Sequence, residues 1–365
     1  MKYRDSLRQI LLRTRPHWDR DETRAAVRLG FRRTLQCRTA ELGGAVYASA
    51  SEEKIVNNTC KSPACTSCGY RNAMQWERER LAALPNLPYK GITFTMPAAL
   101  WPFFYDNPHL AKALAELAAT VTMAWAKAKH GLRVGVISIP QTFNGRLKFN
   151  SHVHTLVTSG GLQGSGKWIS RVFYRNDSLM KAWRNGILKL LRTALRAGQL
   201  RTKMTNDHVM GMLLQEERWW SVKIQSFRST QHFLKYAGRY IRRPPIAQRR
   251  IIDVTSNSVT FWTKDKRLKC RVLVTYSLAE FVDLWAQHIL DRYQHAVRYF
   301  GLLAPRALSC TSAAIFAILG QEHKPRPKRI PWAVSIRRDF GRDPLLDSKG
   351  NRMKFLRRLV PVASR

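Results

Sequence analysis

Apolar and polar positions alternate over residues 91–96 (GITFTM), and residues 133–139 (RVGVISI) and 151–158 (SHVHTLVT) are short runs rich in Val, Ile and Thr. Each predicts a β-strand. Pro97 closes the first strand, and Gly160-Gly161 stops the third. Asn144-Gly145, between the second and third, reads as a hairpin turn. An Ala/Leu-rich run opens at Asn107-Pro108, a cap followed by a first-turn proline. It continues as a helix to Lys129, with Gly131 as its stop. Residues 168–174 read as a further short strand. Helical patterns follow at 178–197, 205–219 and 230–242. The last is capped by Ser229 or Thr230 and ended by Pro244-Pro245. Alternation returns over 250–275, a small β element, and 277–290 is helical. Strands joined by a hairpin and interrupted by helices predict an α+β fold with an antiparallel sheet.

The Pro-rich stretch at residues 84–88 (LPNLP) marks a boundary. It predicts an Arg-rich, cysteine-bearing domain over 1–84 and a main domain over 85–305. Beyond it lies a basic region, 306–365, broken by prolines in the run 323–329 (HKPRPKR).

Charge changes the picture most. The 365 residues carry 63 Lys+Arg against 24 Asp+Glu, a formal net charge of +39. Like charges repel in a compact chain, so the expected companion is a polyanion. With 45% hydrophobic residues the chain still buries a core, which excludes a disordered basic tail. No window reaches 18 apolar residues, and the N-terminus lacks a signal-like apolar stretch. The charge is spread along the chain instead of lying in one amphipathic helix, which argues against a membrane-surface protein. The expectation is a cytoplasmic, nucleoid-associated protein that binds nucleic acid.

Cys60, Cys65 and Cys68 fall within nine residues, the spacing of a zinc knuckle. Cys37 is the nearest fourth ligand, with His17 a poorer one. Cys270 and Cys310 stand alone and read as buried thiols. His152 and His154 lie two apart on a predicted strand, so both imidazoles leave one face about 6–7 Å apart. Tyr236 and Tyr240 lie four apart on a predicted helix and share a face. Lys235, Arg239, Arg242 and Arg243 surround them with positive charge that favours phenolate and attracts phosphate. Each pair alone is expected roughly 0.3 times by chance in such a chain. Together they make a chemistry: a metal polarises a phosphodiester and a tyrosine attacks it. Trp183, Trp219, Trp220 and Trp262 each read as core side chains, and as a group fit base stacking.

Residues 141–154 (QTFNGRLKFNSHVH) resemble the histidine-hydrophobe-histidine (HUH) block of two-tyrosine, rolling-circle insertion-sequence transposases. Residues 155–162 (TLVTSGGL), 233–247 (FLKYAGRYIRRPPIA) and 298–303 (RYFGLL) resemble later blocks of that family, and the cysteine region resembles its zinc-binding domain. The resemblance implies an HUH endonuclease-like sheet flanked by helices. His152 and His154 would ligate Mg2+ or Mn2+. Gln141 is the candidate third ligand and Asn150 a weaker one. Tyr236 and Tyr240 would alternate as nucleophiles, giving a 5′-phosphotyrosine and a free 3′-OH on single-stranded DNA at element ends and targets. A replication initiator or relaxase, or a DNA-binding copy without catalysis, are the competing classes. The family carries cysteine pairs where this chain has residues 45–51 (AVYASAS) and 343–353 (DPLLDSKGNRM), so one structural zinc is expected and no second.

Overall fold

The computed structural model describes residues 6–214, 220–238, 241, 244–265, 268–323 and 330–362. Two helices, α1 (Ser6–Arg13) and α2 (Ala25–Gln36), lead into strands β1 (Gly44–Ala48) and β2 (Glu53–Asn57) and the long helix α3 (Thr66–Ala83). Next come β3 (Tyr89–Thr95), α4 (Pro108–His130), β4 (Gly135–Phe143), β5 (Phe149–Thr158) and α5 (Asn176–Arg196). Strand β6 (Ser221–Phe227) runs into helix α6 (Thr230–Ala237). A three-stranded unit of β7 (Ile251–Val254), β8 (Ser258–Lys264) and β9 (Arg271–Ser277) is followed by α7 (Leu278–Ala286). The chain closes with β10 (Arg298–Gly301), α8 (Pro305–Ile318), α9 (Trp332–Phe340) and β11 (Lys354–Leu359).

The central sheet has the order β10-β4-β5-β3-β6, and each neighbouring pair is antiparallel. One face packs on α4 and α5, where Phe94, Val153 and Val157 meet Leu114, Trp183 and Ile187. The other face carries Tyr89, Ile137, Ile139 and Leu156, which pack on Phe233, Leu234 and Ala237 of α6 and on Trp76 of α3. Both faces of the middle strands are therefore covered. This is why β4 and β5 carry apolar runs in place of clean alternation.

A second core joins the beginning of the chain to its later part. Ile10, Trp18 and Phe31 pack with Phe261, Phe281 and Trp285. The Phe31 ring lies 5.3 Å from Trp18 and 4.9 Å from Trp285. Strand β11 pairs antiparallel with β1, in a sheet of order β11-β1-β2. Packing thus crosses both boundaries read from the sequence. Residues 45–51 and 343–353, which carry no cysteine, also meet: Ser49 and Ser51 each donate a 2.8 Å hydrogen bond to the Asp347 carboxylate.

Several sequence expectations need correction. The strand read over 168–174 is only Trp168–Ile169. Cys270 and Cys310 are exposed, the first beside a turn between strands and the second on an outward face of α8. Trp183 is fully enclosed and Trp220 is buried, so neither offers a stacking face. Their indoles instead fill the core beside α4. Trp219 lies outside the described residues, and Trp262 is half-buried, with Arg271 over its ring at 4.5 Å.

Candidate active site and zinc centre

Four cysteines converge between α2, β2 and α3. Cys37 caps α2, Cys65 caps α3 and Cys68 sits in its first turn. The Sγ atoms of Cys37, Cys60, Cys65 and Cys68 all lie within 4.8 Å of one another. Cys68 Sγ is 3.7 Å from Cys37 Sγ and 3.6 Å from Cys60 Sγ. A tetrahedron with Zn–S bonds of 2.3 Å has edges of about 3.8 Å, so the four thiols are spaced for zinc. Cys37 therefore completes a set of four thiols that could hold a zinc ion. His17 lies elsewhere, with Nε2 2.8 Å from Asp283. Arg38 and Lys61, each directly after a ligand cysteine, have left-handed φ of 65° and 57°. Those two bends turn the backbone so that the thiols face inward.

The thiols share their protons. Hydrogen bonding from Cys60 brings Cys37 down to about 7. Hydrogen bonding from Cys37 likewise lowers Cys68, and holds Cys60 and Cys65 above the ordinary thiol range. Cys37 and Cys68 thus give up their protons more readily than Cys60 and Cys65, and a bound cation would ionise all four.

The second cluster lies on the α6 face of the central sheet. Register places Gln141 of β4 directly opposite His152 of β5, and Thr93 of β3 opposite His154. Gln141 Oε1 is 3.1 Å from His152 Nε2 and 2.9 Å from His154 Nε2. His152 Nδ1 lies 2.8 Å from the Asn150 carbonyl, which can only accept. With an Nδ1 proton given to that carbonyl, Nε2 of His152 keeps a lone pair that can ligate a cation beside the Gln141 oxygen. Asn150 serves through its backbone. The His152 and His154 ring centroids are 4.9 Å apart.

Helix α6 brings Tyr236 to the same place. The Ser229 hydroxyl caps its start by accepting from His232 N at 3.3 Å. Phe233, Leu234 and Ala237 bury one stripe against the sheet. That docking sets the Tyr236 hydroxyl 3.4 Å from His154 Nδ1, beside the Thr93 hydroxyl at 3.2 Å from the same atom. Tyr236 is half-buried and Lys235 is exposed. Arg239, Tyr240, Arg242 and Arg243 lie outside the described residues.

Comparison with known proteins bears on the fold and on the cysteine cluster. The family described as "Putative transposase" matches residues 135–310, and the "Transposase zinc-binding domain" family matches residues 10–96. The "Transposase for insertion sequence element IS801" of Pseudomonas savastanoi pv. phaseolicola is 32% identical over 289 residues, 74% of this chain and 69% of that protein. This chain belongs to the insertion-sequence transposases. The "Putative transposase y4qJ" of Sinorhizobium fredii is 30% identical over 292 residues, covering 74% of this chain and 72% of its own length. No solved structure matches. The N-terminal part of the transposase is a zinc-binding domain, and its four-cysteine cluster fits a structural zinc. Among the described residues no helix is long and apolar enough to cross a membrane.

Two contributors to the transposase's second cluster escape a reading of the sequence. Thr93 is 61 residues from His154, and only strand pairing joins them. His288 is a lone histidine beyond α7. Its Nε2 donates to the Leu147 carbonyl at 2.7 Å, and Nδ1 accepts from the Thr142 hydroxyl at 2.9 Å. It thereby clamps the hairpin that carries Gln141 and His152. Burial pushes its pKa down to about 4, so the imidazole stays neutral.

Proposed function

We propose that this transposase cuts and transfers one strand of insertion-sequence DNA by a rolling-circle route, through a covalent 5′-phosphotyrosine. Residues 1–84 would carry the zinc, 85–305 the strand chemistry, and 306–365 further basic contacts. His152 Nε2, His154 Nε2 and Gln141 Oε1 would hold Mg2+ or Mn2+, a set of nitrogen and amide-oxygen donors that suits either ion. A bound ion supplies Lewis-acid polarisation of the scissile phosphate.

The protein's own groups do the rest. With Nε2 of His154 given to a cation, its Nδ1 carries the proton and donates to a hydroxyl oxygen of Thr93 or Tyr236. The Tyr236 hydroxyl gives its proton to solvent as Oη attacks phosphorus, the P–O3′ bond breaks, and the leaving 3′ oxygen takes a proton back from solvent. One ester replaces another, so the bond energy is kept for rejoining when a 3′-OH attacks the phosphotyrosine. Tyr240 would serve as the second nucleophile, and Lys235, Arg239, Arg242 and Arg243 would grip the backbone.

The observation that carries this reading is the convergence of Gln141, both histidines and Tyr236 from three separate elements onto one point. A nicking assay on single-stranded element ends with Mg2+ or Mn2+ tests it. Wild type should cut, and the Tyr236→Phe, Tyr240→Phe double variant should not. Equal cutting by both would refute the tyrosine roles. Binding without any cutting by wild type would favour a non-catalytic DNA-binding copy.

A further inference from the structure

A broad groove with about 3330 Å³ of open space lies between the zinc-binding domain and helix α9. Its walls include Arg33 at the end of α2, Tyr47 on β1, Lys61 beside the zinc cysteines, Arg71 on α3, and Trp332 and Arg338 on α9. We propose that this groove is a second DNA-binding site, which holds single-stranded DNA near the strand being cut.

Charge is the first ground. Arg33, Lys61, Arg71 and Arg338 have no ion pair with a carboxylate among the described residues. Arg71 Nε is buried and has no hydrogen-bond partner there, an arrangement that costs free energy until an acceptor arrives. The same wall shows what a purely structural arginine looks like. Arg78 is anchored on Asp339, which leaves Glu79 as the acid facing the groove. Four cations against one acid select a polyanion.

Aromatic side chains are the second ground. Trp332 is 36% exposed, and its ring centroid lies 6.0 Å from that of Tyr47 at a 58° tilt. Tyr47 is supported from behind by Phe355 of β11 at 5.9 Å. A large exposed indole braced on a second ring, inside a basic groove, suits an unpaired base. A duplex keeps its base faces stacked inside and offers nothing to such a surface. The aromatic pair therefore favours a single strand over a duplex.

Position is the third ground. Arg71 and Gln75 of α3 face the groove, and Trp76 of the same helix packs on Phe233 and Leu234 of α6, which presents Tyr236. The groove and the tyrosine helix thus lie against neighbouring faces of the one helix α3.

The proposal deepens the proposed function and rests on its single-stranded substrate. Its test is separable from cleavage, because binding is read in a Tyr236→Phe background of the zinc-loaded full chain. Fluorescence anisotropy with a labelled single-stranded oligonucleotide is the readout, with the same sequence as a duplex for comparison. The Arg71→Ala, Arg338→Ala pair should weaken single-strand binding at least about tenfold. It should also flatten the slope of log affinity against log salt by about 1.4, two contacts at roughly 0.7 each. Trp332→Ala should weaken it about tenfold and Trp332→Phe much less, since a phenyl ring still stacks. Arg338→Glu, at an exposed side chain, guards against a folding artefact, and zinc content should be wild-type throughout. Unchanged single-strand affinity in the arginine variants would overturn the proposal. So would tighter binding of the duplex with no loss in Trp332→Ala. Absence of cleavage in wild type, with the groove variants still impaired, would count against the cutting mechanism alone.

Discussion

Gln141 and His152 face each other across β4 and β5, and the chemistry proposed for this chain depends on that pairing. Replacing Gln141 by Ala removes one oxygen donor but leaves both imidazoles. Metal-dependent cutting should fall about tenfold or more, with part of the loss recovered at high Mn2+, while DNA binding stays unchanged. A metal titration of cleavage checks this, and an unaltered metal requirement would remove Gln141 from the ligand set. The pairing was partly legible, because Gln141 precedes a turn that folds β4 back on β5. Thr93 was not legible, since no local pattern links it to His154. The zinc ligands divide in the same way. Three announce themselves by spacing, whereas Cys37 joins them only because Arg38 and Lys61 take left-handed turns. Stripping zinc with a chelator should release one equivalent of metal and lower the melting temperature. As acid protonates the thiolates, metal retention should fail.

Elements place these residues, and their ends were read more easily than their partners. Asn107-Pro108 opens α4 and Gly131 ends it with φ of 64°; Ser229 and Ser277 cap α6 and α7 as their hydroxyls suggest. Strand β6 (SVKIQSF) is not marked in the sequence because four of its seven residues are polar, and β11 (KFLRRL) is almost wholly exposed and shows no apolar alternation. Two elements carry clear predictions. Gly301 ends β10 with φ of 58°, and a Cβ there would sit 2.1 Å from the Val134 carbonyl oxygen. Gly301→Ala should therefore destabilise by several kcal/mol, read as a lowered urea midpoint. The β4–β5 hairpin hangs on His288, whose neutral form the fold holds by burial. Its folded pKa of about 4 lies below the ordinary histidine value of 6.5, so the unfolded chain binds more protons between those values. Stability from this group is complete above about pH 6.5 and is lost as pH falls toward 4, by up to about 3 kcal/mol. His288→Gln should blunt that decline in denaturation curves taken from pH 7 to pH 4.5.

Across the whole molecule, the two ends of the chain are one structural unit. β11 pairs with β1, and Asp347 accepts hydrogen bonds from Ser49, Ser51 and the backbone of Lys349 and Asn351. Hydrogen bonds from Ser49 and Ser51 outweigh the effect of burial and hold the Asp347 carboxyl well below the usual carboxylate range. Its stabilising effect is thus present above the unfolded carboxylate value near 3.9 and is lost as pH falls below it. Asp347→Asn should loosen the last strand, which hydrogen exchange over residues 354–359 would register as faster exchange at neutral pH. This joining of ends was invisible in the sequence, where the tail reads only as basic. The net charge of +39 was legible from the start, but not its arrangement. Part of it is neutralised in pairs such as Arg78–Asp339, and part lines a groove beside the zinc.

The central claim is that a tyrosine of this chain becomes covalently joined to DNA beside the His152–His154–Gln141 cluster. Mass spectrometry of the protein after reaction with a single-stranded element end and Mn2+ tests it most directly. The account predicts a nucleotide adduct on the peptide bearing Tyr236 or Tyr240, absent when His152 and His154 are both replaced by Ala. Cleavage without an adduct, or an adduct on a residue away from α6, would contradict it.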